Sequence, residues 1–325
     1  MKSRPLPSLA AVLFAGLLGA AALAAAAPAA AAAPAAVAAP AASRAENGKV
    51  FDAAGVRLYY EVLGGGPGTP LVVANGGPGF DHAYLLVSGA WNTLAKERPV
   101  ILYDQRGNGR SGALKTGQSC TLADQIDDLE ALREHLGYAK IDLLGHSWGG
   151  YLAMAYAARH PERIERLVLA DSAAPKWADT LSLFKEVYPE GVERQDALGF
   201  AETLGDGAAA EASLREYMAM LFYAPDKRDA FLAAAPGFRY SRTVNQAVNA
   251  DLARFDLNPE LPKLRVPALV VNGRYDMNVA PATAYRIHKA IPGSKLVVFE
   301  RSGHLPFFEE PEAFVKVVGE FLAGR

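Results

Sequence analysis

From Gly48 onward, short apolar runs rich in β-branched residues alternate with stretches whose apolar positions recur every three or four residues. The first kind reads as strand, at 57–63, 71–73, 100–103, 141–144, 167–170, 269–271 and 296–299. The last five are apolar almost throughout, as strands covered on both faces are. Helical spacing appears at Ile126, Leu129, Leu132 and Leu136, behind Thr121 and Asp124, a pair able to cap a helix N-terminus. Further helices are expected after Ser147, at 281–290 and at 311–322. Strands alternating with helices predict an α/β fold class, a mostly parallel central sheet flanked by helices.

One segment breaks the rhythm. Residues 174–261, between the strands at 167–170 and 269–271, hold no clear strand but several Ala-, Glu- and Leu-containing helical stretches. They read as an inserted helical cap over the carboxyl ends of the strands, where open parallel sheets bind ligands. The chain has no internal repeats.

The first 47 residues are of another kind. Lys2 and Arg4 precede an apolar stretch with Leu13, Phe14, Leu17, Leu18 and Leu23, and small residues then offer A-x-A cleavage sites. Residues 1–27 therefore read as a signal peptide, 28–47 as an Ala/Pro-rich linker and 48–325 as the folded domain, which predicts export to the periplasm or medium. The alternative is an uncleaved membrane anchor, because no charged residue falls between Arg4 and Arg44. A net charge of -2 gives no electrostatic ground for a nucleic-acid partner, and the single Cys120 cannot close an intrachain disulfide.

Candidate chemistry gathers at the strand ends. Gly145-His146-Ser147-Trp148-Gly149 follows the strand at 141–144 and precedes a helical run from Tyr151. It resembles the G-x-S-x-G nucleophile elbow of the α/β-hydrolase fold, in which a strained turn lifts the serine hydroxyl above the sheet. Ser147 is thus the candidate nucleophile, with His146 packing in or orienting the turn. A serine hydroxyl needs a base within hydrogen-bond reach. The chain order of that fold, serine then acid then histidine, leaves His288 and His304 of the six histidines. His304 stands in a loop directly after the strand at 296–299, whereas His288 falls mid-helix. Asp276, in the loop after the strand at 269–271, is the expected acid, and Asp171 at an earlier strand end competes with it. The loop Asn75-Gly76-Gly77-Pro78-Gly79 nominates the backbone amides of Gly77 and Trp148 as oxyanion donors. No Lys-Ser/Thr follows those glycines and no H-E-x-x-H or Cys/His cluster occurs, so no phosphate loop, metal or cofactor is implied.

Taken together, Gly-Gly-Pro-Gly at 76–79, Tyr-Asp-Gln-Arg-Gly at 103–107, Gly-His-Ser-Trp-Gly-Gly at 145–150, Gly-Arg-Tyr-Asp at 273–276 and Ser-Gly-His at 302–304 resemble the proline iminopeptidase family. The resemblance runs from about Gly48 to the C-terminus and is weakest in the cap. It implies an α/β-hydrolase fold and a serine hydrolase that cleaves small amide, peptide or ester substrates through an acyl-enzyme. Family members that release N-terminal residues hold the substrate amine with cap glutamates and, in some, a glutamate after the triad acid. Here Met277 follows Asp276, Asn245 takes the aligned cap position, and Asn75 replaces the usual histidine before the glycines. Glu216 and Asp251 are the substitute amine anchors, and His82 and Tyr84 the further pocket candidates. The departures favour a second reading, a carboxylesterase or lactonase on the same triad. A non-catalytic ligand-binding protein is the remote third. Each reading implies a small-molecule or short-peptide partner, no nucleic acid, and no stable membrane association unless the leader is retained.

Overall fold

Eight strands make one sheet: β1 (Gly48–Ala53), β2 (Val56–Leu63), β3 (Leu71–Ala74), β4 (Val100–Asp104), β5 (Ile141–His146), β6 (Ile164–Ala170), β7 (Ala268–Gly273) and β8 (Lys295–Phe299). The computed structural model describes residues 48–204, 206–234 and 239–325, and the expected signal peptide and linker lie outside the described residues. The strand order is β1-β2-β4-β3-β5-β6-β7-β8. β2 runs antiparallel to both its neighbours, and every other pair is parallel. Every position of β3, β4, β5 and β7 is buried. Their side chains divide by parity between two apolar clusters. Val72, Ile101, Leu143 and Val270 face the cluster containing Trp148, Tyr151 and Ile287, while Val73, Leu102, Leu144 and Leu269 face the one containing Trp91, Phe307 and Phe314. Alternate residues of a strand point to opposite faces, so a strand covered by helices on both sides must be apolar at every position.

The helix Leu122–His135 starts where the Thr121/Asp124 pair places it. Thr121 Oγ1 accepts the Asp124 N–H at 3.2 Å and Asp124 Oδ2 accepts the Thr121 N–H at 2.7 Å, a reciprocal capping box. β1 was not expected from the sequence. It pairs with β2 through the two-residue turn Ala54-Gly55, both in the left-handed region at φ 52° and 87°. Hairpins favour that geometry, but Ala-Gly lacks the Asn-Gly signature, and four of the six positions of this edge strand are at least partly exposed.

Between β6 and β7 the described residues form the helices Phe184–Val187, Pro189–Thr203, Gly207–Ala219, Pro225–Ala234 and Arg242–Leu252, and no strand. This cap is tied to the sheet by the loops it covers. Ser241 N–H donates to Gly79 O at 2.7 Å, Asp81 N–H to Arg239 O at 3.1 Å, and His304 N–H to Leu221 O at 2.7 Å. Among the described residues no helix is long and apolar enough to cross a membrane.

Packing is tight where the helix Trp148–Arg159 leaves β5. A Cβ on Gly149 would lie 2.0 Å from Ala74 O, a backbone atom of β3 that cannot yield without moving the strand. Gly149→Ala should therefore lower stability by about 2–3 kcal/mol, read from urea denaturation. Gly65→Ala, whose Cβ would meet nothing within 4 Å, should stay within about 0.5 kcal/mol of the parent. Equal effects at the two sites would show that the elbow is not the tight contact described.

Candidate active site

Ser147 stands between β5 and the helix Trp148–Arg159 with φ at 56°. Three backbone bonds hold it there: its N–H donates to Ala170 O at 3.0 Å, and its carbonyl accepts from Gly150 N at 2.9 Å and Ala173 N at 3.1 Å. The end of β6 therefore clamps the turn. Trp148 opens the helix, so its N–H is one of the donors a helix leaves without an intrahelical acceptor. The loop after β3 approaches from the other side. Glycine eases this at residue 76, where a Cβ would be a tight 3.1 Å from Ser147 Cβ.

His304 and Asp276 arrive from the loops after β8 and β7. His304 Nδ1 donates to Asp276 Oδ2 at 2.7 Å, and Asp276 Oδ1 accepts the N–H groups of Asn278 and Val279, both at 2.9 Å. Asp276 is wholly buried, so these three donors are what makes its charge tolerable there. The orientation leaves Nε2 of His304 as the basic nitrogen, with Asn278 Nδ2 3.2 Å away. Asp171 accepts Gly273 N–H at 2.9 Å and does not take the imidazole. Burial, then the charge of Asp276, pushes its carboxyl well above the usual range. Asp171, Asp276 and His304 place their polar atoms within 4.8 Å of one another. With one carboxyl pushed well above the usual range and the other committed to the imidazole, that set suits holding a histidine better than a cation.

Ser147 and His304 open on one narrow cleft, which Gly76, Gly77 and His146 also line. Its walls are Phe80 and Tyr84 from the loop after β3, Tyr217, Met218 and Leu221 from the cap, and Leu305. No carboxylate lines it among the described residues. The oxyanion loop is braced by Asn75, whose Nδ2 donates to Gly76 O at 3.1 Å and Phe80 O at 2.8 Å. Gln105 joins that loop to the elbow: its Nε2 donates to Asn75 O at 3.0 Å, and its Oε1 accepts Trp148 Nε1–H at 2.9 Å. Sequence reasoning missed this bridge. It also missed Phe80, Tyr217, Met218, Leu221, Leu305 and Asn278, because apolar and amide side chains carry no chemical signature until the cap is folded.

The sequence profile described as alpha/beta hydrolase fold matches residues 69–311. The chain belongs to the α/β-hydrolase family. It is 31% identical over 286 residues to a proline iminopeptidase of Heyndrickxia coagulans, covering 83% of this chain and 96% of that protein. It is 32% identical to a proline iminopeptidase of Clostridium botulinum, covering 82% of this chain and 94% of the other. Among solved structures, an enol-lactonase from Burkholderia xenovorans superimposes with a TM-score of 0.66 at 28% identity, covering 85% of this chain and 100% of that one.

Of the expected pocket residues of this α/β hydrolase, Tyr84 lines the cleft and three others lie elsewhere. Asn245 donates from Nδ2 to Pro78 O at 2.9 Å and accepts Asn249 Nδ2–H at 3.1 Å, so it fastens the cap to the oxyanion loop. Met277 packs into the apolar cluster while its carbonyl accepts Leu183 N–H at 2.7 Å. The substitute amine anchors are also engaged away from the cleft. Glu216 pairs with Arg194 at 2.9 Å, and Asp251 accepts Leu122 N–H at 2.7 Å and pairs with Arg254.

His82 is the third correction. Its ring is buried between Asp104, with Nδ1 2.6 Å from Oδ1, and Glu61, with Nε2 3.5 Å from Oε1. Tyr59 OH donates to the same Glu61 oxygen at 2.7 Å and Arg110 reaches it at 2.9 Å. The cluster pins the start of the loop after β3 to β2 and β4. Burial disfavours the imidazolium, but the Asp104 and Glu61 hydrogen bonds and charges outweigh it and raise the pKa to about 9. A pKa raised on folding gives stability that is complete below about pH 6.5 and lost as pH rises through about 9, on the order of 3 kcal/mol here. His82→Gln should remove that dependence, so urea curves of parent and variant should converge between pH 6.5 and 9.5. Curves that stay parallel would show an uncharged His82.

Proposed function

We propose that this α/β hydrolase cleaves uncharged acyl substrates, namely carboxylic esters, lactones and N-blocked amides, through an acyl-enzyme on Ser147. In that reading Ser147 Oγ attacks the carbonyl carbon while His304 Nε2 takes its proton. Asp276 holds the Nδ1–H tautomer and offsets the imidazolium charge. The N–H groups of Gly77 and Trp148 receive the oxyanion. His304 then gives its proton to the leaving oxygen or nitrogen, and water repeats the sequence to free the acid.

The observation that carries the substrate class is the make-up of the cleft. Its walls are apolar and aromatic, with no carboxylate among the described residues. Positions 205 and 235–238, outside the description, are Gly and Ala-Pro-Gly-Phe and add no acid. A substrate ammonium buried there would be desolvated without a counter-charge, at a cost of several kcal/mol. The second reading, an aminopeptidase, is favoured by the relatives named proline iminopeptidase at 31–32% identity.

A panel of short-chain p-nitrophenyl esters, N-acetylated arylamides and free proline and alanine arylamides separates the two. The ratio of kcat/KM for free-amine over N-blocked arylamides should be below about 10²-fold, under about 3 kcal/mol of discrimination. A preference far above that for a free N-terminus would restore the aminopeptidase.

The machinery has its own test. Ser147→Ala should abolish both turnover and fluorophosphonate labelling in a protein that still folds. Asp276→Asn should lower kcat on the order of 10⁴-fold, whereas Asp171→Asn, at a carboxyl that does not bond the imidazole, should cost less than about tenfold. A larger loss at Asp171 would mean that the acid is wrongly assigned.

A further inference from the structure

His146, the variable residue of the elbow, is enclosed beside the base, its ring centroid 4.7 Å from that of His304. Its Nε2 lies 2.9 Å from the His304 carbonyl oxygen. A carbonyl only accepts, so Nε2 carries the hydrogen, and in a neutral ring Nδ1 is then bare. Nδ1 lies 2.7 Å from Tyr84 OH, which therefore donates to it. The Tyr84 oxygen, its one hydrogen committed, accepts the Gly76 N–H at 2.7 Å. These contacts admit a single assignment of hydrogens for a neutral His146. A charged ring would leave the Tyr84 hydrogen without an acceptor on this path. Burial, and then the charge of the His304 ring, hold His146 well below the usual imidazole pKa, which agrees with that assignment.

This path joins parts that the sheet cannot place by itself. The oxyanion loop leaves β3 and the base loop leaves β8, and three strands separate those two in the sheet. A reacting carbonyl must nevertheless meet Ser147, the oxyanion donors and His304 Nε2 at once, with tolerances well under 1 Å. We propose that Tyr84 and His146 are positioning residues: the hydrogen-bond path from Gly76 through Tyr84 and His146 to the His304 carbonyl sets the separation between oxyanion loop and base. The proposal deepens the acyl-enzyme reading and rests on it.

The test measures kcat and KM on a p-nitrophenyl ester for Tyr84→Phe, His146→Gln and His146→Asn, with competent sites counted by fluorophosphonate titration so that misfolded protein does not enter. Tyr84→Phe keeps the ring that lines the cleft and loses only the bridge. It should lower kcat per titrated site roughly 10- to 100-fold with KM changed less than about threefold, and a boronic acid that mimics the tetrahedral adduct should lose affinity in proportion. His146→Gln retains a donor toward the His304 carbonyl and His146→Asn an acceptor toward Tyr84, so each keeps one end of the path. Each should lose about as much as Tyr84→Phe, and combining either with Tyr84→Phe should add less than about threefold, because residues acting as one unit are not additive. A kcat within twofold of the parent in Tyr84→Phe, or a loss carried wholly by KM, would overturn the proposal while leaving the acyl-enzyme intact. A parent protein that does not label at Ser147 would overturn both.

Discussion

A serine held at φ 56° is in a conformation that side chains disfavour, at a cost on the order of 1–3 kcal/mol, and the rest of this site depends on its being held there. The end of β6 takes its N–H and the following residues take its carbonyl. Gly149 lets the new helix pass against β3, and Gly76 lets the oxyanion loop lie against the serine. The strain is small beside the burial of Trp148, Tyr151, Leu152 and Tyr156, all of which the same helix places in the core. The turn is thus fixed by packing that would exist for stability alone, and the serine's place in the cleft wall is its consequence.

Around that turn the molecule manages buried charge in two ways. At the ends of β6 and β7, two carboxyls lie side by side; that of Asp276 is held by two N–H groups and the imidazole, and burial and the charge of Asp276 push that of Asp171 well above the usual range. Two adjacent carboxylates in a low dielectric cannot both ionise, and the one with more donors keeps the charge. Behind the oxyanion loop the solution is opposite, a charged His82 between Asp104 and Glu61. Glu309 extends the first pattern to the cap. It accepts the N–H groups of Tyr223, Ala224 and Gly303 at 2.8, 3.1 and 2.6 Å, stitching the cap to the base loop, and burial raises its pKa to about 7.

The cap is therefore both wall and strut. Leu221 lines the cleft with its side chain while its carbonyl accepts the His304 N–H. Asn245, which alignment by pattern put in the role of an amine ligand, instead fastens the cap to Pro78. The amide there makes a structural hydrogen bond, and the neighbouring walls of the cleft are apolar.

The sequence by itself determined the layered sheet and the positions of its chemical groups, because strand burial on both faces, the Thr121/Asp124 cap and the glycine-flanked Ser147 are local patterns with local causes. It also placed Asp276 and His304 at strand ends on one edge of the sheet. The edge strand β1 escaped, since a half-exposed hairpin on an Ala-Gly turn has little signal to read. What only the tertiary structure decided was everything set by contacts far apart in the chain. His82 became an ion-cluster residue because β2 and β4 bring Glu61 and Asp104 to it. Gln105, Tyr84 and His146 became braces because three loops converge on them, and the cleft became apolar because helices of the cap close over it. Periodicity and motif spacing follow from backbone geometry within one element, whereas the charge and reach of a pocket follow from which elements meet, and that is settled only when the chain is packed.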